Sequence, residues 1–151
     1  MGLTQRINED LKTAMKSGNK LRLETLRMLR AQIIEFEKKG LDRAMNEDDE
    51  MSILISAAKK RKEAIEHFQN AGRMELVEQE TKELEIISEY MPKQLSREEA
   101  ENIVSTIIQQ SGAVSMKEMG KVMPVAMREL KGRIDSKVIS EIVKQKLEGR
   151  S

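Results

Sequence analysis

Apolar residues return every three or four positions along most of this chain, and nowhere do they alternate convincingly with polar ones. From Lys20 to Lys39, Leu23, Leu26, Leu29, Ile33 and Phe36 form one stripe on a helix. A strand would need a period of two, so a sheet is excluded as the main architecture. With strands excluded, the capping signals between stripes fix the number of helices.

A first helix is expected over Leu3 to Lys16, with Ile7, Leu11, Ala14 and Met15 inward, stopped by Ser17, Gly18 and Asn19. Asn19 caps the second helix and Gly40 closes it. Asn46, followed by Glu47, Asp48, Asp49 and Glu50, is an N-cap with acidic residues where the helix dipole favours them. The third helix then carries Met51, Leu54, Ile55, Ala58, Ile65 and Phe68 inward as far as Asn70 and Gly72. A fourth, Met74 to Tyr90, sets Leu76, Leu84 and Ile87 against a surface rich in glutamate.

Met91-Pro92 marks a boundary, because the residue before a proline is pushed out of the helical region. Ser96 and Glu99 form a capping box that opens a new unit, whose first helix shows Ala100, Ile103, Val104, Ile107 and Ile108 on one face before Gly112. Ser115 with Glu118 predicts a second box. Asp135 caps the last helix, which carries Val138, Ile139, Ile142, Val143 and Leu147 inward. The expected fold is all-α, an N-terminal four-helix antiparallel unit (1–92) followed by a C-terminal three-helix domain (93–151).

Composition narrows the chemistry. Aromatics make up 2% of the chain and there is no Trp, so the cores must be built from Leu, Ile, Val, Met and Ala. The absence of Cys removes disulfides, thiolate metal sites and a cysteine nucleophile. His67 is the sole histidine and has no neighbouring pattern for a metal or a triad. Gly120-Lys121 lacks the spacing and the strand of a phosphate-binding loop. No catalytic residue, metal site or cofactor is expected. No apolar run is long enough to span a bilayer, and Arg6 stands where a myristoylation motif needs Ser or Thr. A cytoplasmic protein without membrane contact is expected.

Charge is divided unevenly. Residues 93–151 carry 11 Lys and Arg against 8 Asp and Glu, whereas the remainder carries 16 against 18. The run Lys59, Lys60, Arg61, Lys62 reads as the complement of the glutamate-rich fourth helix rather than as a nucleic-acid motif. The stretch from Met116 to Lys131 is more distinctive. At 100° per residue, Lys117, Lys121, Pro124, Arg128 and Lys131 share one arc, and Met116, Met119, Met123, Met127 and Leu130 share another, expected to be core. Pro124 forfeits a hydrogen bond to the Gly120 carbonyl, which costs least on a face open to water.

Arg133 in the hinge and Lys137 and Lys144 on the last helix extend the cationic arc. The scarcity of aromatics argues against reading single-stranded bases by stacking. These cations point instead to tRNA or another structured RNA, held by its phosphates and shape. A solvated basic face is the competing reading, with the N-terminal unit docking a protein partner as a helical adaptor.

Two strings are specific enough to carry a resemblance: KKRKEAIEHFQNAGRMELVEQETKELEIISEYMPKQLSREEAENIV and MGKVMPVAMRELKGRIDSKVISEIVKQKL. They resemble the YqeY-like bacterial cytosolic proteins over essentially the whole chain, and the C-terminal part is similar to the tail domain of the B subunit of the glutamine-dependent aspartyl/glutamyl-tRNA amidotransferases. The resemblance implies a two-domain helical protein whose C-terminal unit contacts tRNA, together with the description "carbon-nitrogen ligase with glutamine as amido donor". In those enzymes the chemistry sits in the amidase subunit and in a larger cradle of the B subunit, and neither has a counterpart here. The matching positions are Gly120, Lys121, Val122 and Met123, then Lys131, Gly132, Arg133 and Asp135. Ile134 and Pro124 depart from the family pattern. The resemblance therefore implies a non-catalytic RNA-binding accessory role.

Overall fold

A computed structural model describes residues 2–40 and 42–149. Among them the secondary structure is seven α-helices and one short 3-10 turn, with no strand, so the fold is all-α. The chain divides into two compact units between Met91 and Pro92.

The N-terminal unit consists of α1 (Leu3–Ser17), α2 (Lys20–Glu37), α3 (Glu47–Asn70) and α4 (Met74–Ser88). On α1 the buried residues Leu3, Ile7, Leu11 and Ala14 follow the helical period. They meet Leu26, Leu29 and Ile33 of α2, Ile53, Leu54, Ala57 and Ala58 of α3, and Ile86 and Ile87 of α4 in one apolar cluster. Each fully buried Leu or Ile contributes roughly 1.5–3 kcal/mol relative to exposure, so this cluster holds the unit together. Helix ends are satisfied locally. Asn46 and Asp49 form a reciprocal capping box, Asn19 accepts from the Arg22 amide, and Glu50 reaches across to accept from the free Leu3 amide at 2.7 Å.

Three expectations for this unit need correction. Met15 is 61% exposed, because the stripe through Leu11 and Ala14 already fills the contact with the core. On α3 the innermost line is Ile53, Leu54, Ala57 and Ala58, with Met51, Ile55, Ile65 and Phe68 only half-buried. The apolar cluster of the unit takes in Ile53, Leu54, Ala57 and Ala58 of α3, and the helix continues beyond them to Asn70. Finally, α4 ends at Ser88 rather than Tyr90, since a turn at Glu89 and Tyr90 swings the Tyr90 ring inward.

Charge complementarity between α3 and α4 centres on one residue. Arg61 Nε lies 3.0 Å from Glu83 and 3.6 Å from Glu80, all three side chains being largely enclosed. Lys59, Lys60 and Lys62 are exposed.

The C-terminal unit consists of α5 (Arg97–Ser111), a 3-10 turn (Met116–Glu118), α6 (Met119–Leu130) and α7 (Ser136–Glu148). Ala100, Val104, Ile107 and Ile108 of α5, Val122, Ala126 and Leu130 of α6, and Ile139, Ile142, Val143 and Leu147 of α7 form a second apolar cluster. Ser96 and Glu99 form the reciprocal capping box at the start of α5. No helix among the described residues is long and apolar enough to cross a membrane.

Candidate nucleic-acid interface

The buried stripe of α6 decides which way its cations face. Val122, Ala126 and Leu130 are fully buried, four residues apart on one line. Met116, Met119, Met123 and Met127 are half-buried at the margin of the cluster, not at its centre as the helical wheel suggests. Small and branched residues allow α6 to approach α5 and α7 closely, so the longer methionines are displaced to the flank. Directly opposite the buried line lie Lys121, Pro124, Arg128 and Lys131, all exposed.

Pro124 sits inside a continuous α6 on that open face. Its missing amide leaves the Gly120 carbonyl without its helical donor, and Gly120 is itself exposed, so the proline sits where a freed carbonyl costs least.

Lys117 does not belong to this helix. The Ser115 hydroxyl accepts from the Lys117 amide at 3.3 Å, and the Glu118 carboxylate reaches back to the Val114 amide at 3.2 Å. These two bonds wind a 3-10 turn in place of the expected capping box, so Lys117 is exposed on a separate turn that leads into α6. Lys121 is exposed, with Glu118 Oε2 at 3.8 Å, a surface pair of little strength.

The hinge between α6 and α7 is held by the segment leading into α5. Gln94 Nε2 donates to the Gly132 carbonyl at 2.6 Å, and the Leu95 amide donates to the Arg133 carbonyl at 2.8 Å. Gly132 is buried with φ 78°, a left-handed conformation that a side chain would strain. Lys131 leaves the helix in an extended conformation, and the Asp135 carboxylate caps α7 by accepting from the Lys137 amide at 2.8 Å. This clamp fixes the backbone on which Lys131 and Arg133 are mounted. Sequence reasoning missed Gln94 and Leu95, because nothing in a linker of that length signals a contact 38 positions away.

The cations are not equally free. Arg133 is half-buried beside Glu99, whose carboxyl is held below the usual range first by its cap bonds to Ser96 and then by the charges of Lys93 and Arg133. On α7, Lys137 and Lys144 share their face with Glu141, which pairs with Arg97 at 3.2 Å. Arg97 also contacts Glu101 and Gln145, at 3.1 Å each, and so ties α5 to α7, another role the sequence left unread. Arg128 and Lys131 make no ion pair with another described residue, and no carboxylate of α6 lies on their arc. They are the strongest part of the cationic set, and the α7 lysines are a mixed-charge surface.

The exposed cations of α6 and the hinge give this face the chemistry to hold anions. Among the described residues no group of three or more His, Cys, Asp or Glu side chains is arranged to hold a metal ion.

The profile of the family described as Yqey-like protein matches residues 4–147. The chain belongs to the YqeY-like family. This YqeY-like chain is similar to the "Altered inheritance of mitochondria protein 41, mitochondrial" of Pyrenophora tritici-repentis, with 32% identity over 93% of this chain and 78% of that protein. An uncharacterised protein of Schizosaccharomyces pombe is 31% identical over 60% of this chain and 72% of its own length. A stretch of 58 residues is 40% identical to one subunit of the glutamyl-tRNA(Gln) amidotransferase of Thermococcus gammatolerans, covering 36% of this chain and 9% of that subunit. The YqeY-like chain thus matches a short stretch of a much larger polypeptide of that enzyme.

Proposed function

We propose that this YqeY-like protein is a non-catalytic, cytoplasmic accessory protein that binds structured RNA, tRNA first among candidates, through the open face of α6 and the hinge after it. The observation that carries the reading is the position of Lys121, Arg128 and Lys131 opposite the buried line Val122, Ala126 and Leu130, with no carboxylate of α6 on the same arc. A rigid helix presenting cations one and two turns apart suits phosphates spaced along a folded RNA backbone. Similarity to part of a tRNA-dependent amidotransferase supports the same ligand class. No residue of the chain is assigned a part in amide transfer.

The test is a titration of the full chain with tRNA at several salt concentrations. Engagement of three or four phosphates gives a slope of log K against log[salt] of roughly −2 to −4. Binding that persists unchanged in a Lys117→Glu, Lys121→Glu, Arg128→Glu triple variant, or absence of binding at low salt, overturns the reading. An unstructured RNA of equal length should bind more weakly. Formation of amidated aminoacyl-tRNA by the purified protein with glutamine and ATP would replace the accessory role with a catalytic one.

A further inference from the structure

A second cationic feature lies in the N-terminal unit, where neither the charge division nor the wheel draws attention to it. The open side of the α1–α2 hairpin holds a cleft of about 400 Å³ lined by Asn8, Leu11, Lys12, Met15, Arg27 and Arg30. Its lining contains three cations and no carboxylate. None of Lys12, Arg27 and Arg30 makes an ion pair with another described residue. Arg22, on the same helix, is by contrast engaged by Glu89 at 2.7 Å.

The remaining lining adds two further kinds of contact. Leu11 and the exposed Met15 give an apolar patch between the cations, and a pliable thioether suits a flat ring. Asn8 offers a donor and an acceptor on one amide, the pairing that a nucleobase edge requires and a carboxylate cannot use fully. Arg27 and Arg30, one turn apart on α2, present guanidinium groups suited to bidentate phosphate contact.

We infer that the α1–α2 cleft binds a nucleotide, with its phosphate on Lys12, Arg27 and Arg30, its ring on Leu11 and Met15, and its base edge on Asn8. The chemistry is that of a nucleoside monophosphate, met either as a free molecule or as one residue of an RNA strand. The inference does not rest on the role proposed for the C-terminal unit, since every residue it uses lies on α1 or α2.

The test is a residue-resolved NMR titration of the full chain carrying Lys121→Glu and Arg128→Glu, which removes the C-terminal arc from the readout. The probes are adenosine 5′-monophosphate, inorganic phosphate, a short oligoadenylate and a glutamate-rich peptide. Saturable shifts at Asn8, Lys12, Met15, Arg27 and Arg30 with the nucleotide are expected. An Arg27→Gln, Arg30→Gln variant, both positions being exposed, should retain its helical circular dichroism and bind at least about tenfold more weakly. Met15→Ala should weaken the nucleotide and leave phosphate unchanged. Oligoadenylate binding tighter than the mononucleotide through the same residues would assign the site to a strand, and equal binding to a free nucleotide; both support the inference. Phosphate binding as tightly as the nucleotide, tighter binding of the acidic peptide, or no saturable shift up to about 10 mM overturns it.

Discussion

The Tyr90 hydroxyl donates to the Asp10 carboxylate across 80 positions of sequence, joining the end of the N-terminal unit to its first helix. The ring is buried, with the Arg6 guanidinium 4.8 Å from its centre, and the adjacent Glu89 receives Arg22 at 2.7 and 3.2 Å. Three helices are therefore stitched together immediately before the Met91-Pro92 boundary.

Tyr90→Phe keeps the ring and removes only the donor, so it should cost about 1.5–3 kcal/mol in urea unfolding, the range for a hydrogen bond to a charged group. Burial and then Asp10 push the Tyr90 hydroxyl above its ordinary value of 10.0. Its contribution is therefore complete below pH 10 and is lost as pH rises through the higher folded-state value. Because Tyr90 is the only tyrosine and there is no Trp, phenolate absorbance reports it directly. The phenolate should appear together with alkaline unfolding, and a titration at an unperturbed value in the folded protein would contradict the contact.

Around Arg61, burial and the neighbouring Glu83 raise the Glu80 carboxyl above its usual 4.5. A raised acid stabilises the fold below 4.5, and that contribution is lost as pH rises through the folded-state value. Glu80→Gln should therefore melt at a higher temperature than the wild type at pH 7, with the difference closing towards pH 4. A lower melting temperature at pH 7 would show that the Arg61 attraction outweighs the repulsion from Glu83.

Gly132→Ala places a side chain at φ 78° in a buried hinge and should destabilise the protein by about 1–2 kcal/mol. Gln94→Ala removes the donor to the same carbonyl and should cost about 1 kcal/mol. Both are read by denaturant unfolding. If Gly132→Ala is neutral, the hinge accommodates another backbone conformation.

Within the cationic set, position should matter more than charge count. Arg128→Glu or Lys131→Glu should each flatten the tRNA salt slope by about one. Lys137→Glu, next to Glu141, should change it less. Equal effects at all three sites would point to a diffuse basic surface rather than a face of α6.

Helix number and most helix starts were readable in the residues themselves. The Asn46 and Ser96 caps and the stripes through Leu26, Leu29 and Ile33 or Val104, Ile107 and Ile108 are local devices, encoded within three or four positions. The all-α class follows from the same periodicity. Even the open side of α6 was legible, because Lys121, Arg128 and Lys131 are spaced to avoid any apolar stripe.

What the sequence left open was which apolar residues would be innermost and what would clamp the turns. The wheel set Met123 on the expected core arc and left Val122 off it, and only the approach of α5 and α7 put Val122, Ala126 and Leu130 at the centre and the methionines at the edge. The same competition for space exposed Met15. The 3-10 turn that carries Lys117, the Gln94 bond that fixes Gly132, and the Arg97 bridge to Glu141 depend on groups brought together only by folding. Local spacing determined the helices and the sign of their outer faces; packing decided the burial order, the hinge and which cations are drawn into ion pairs.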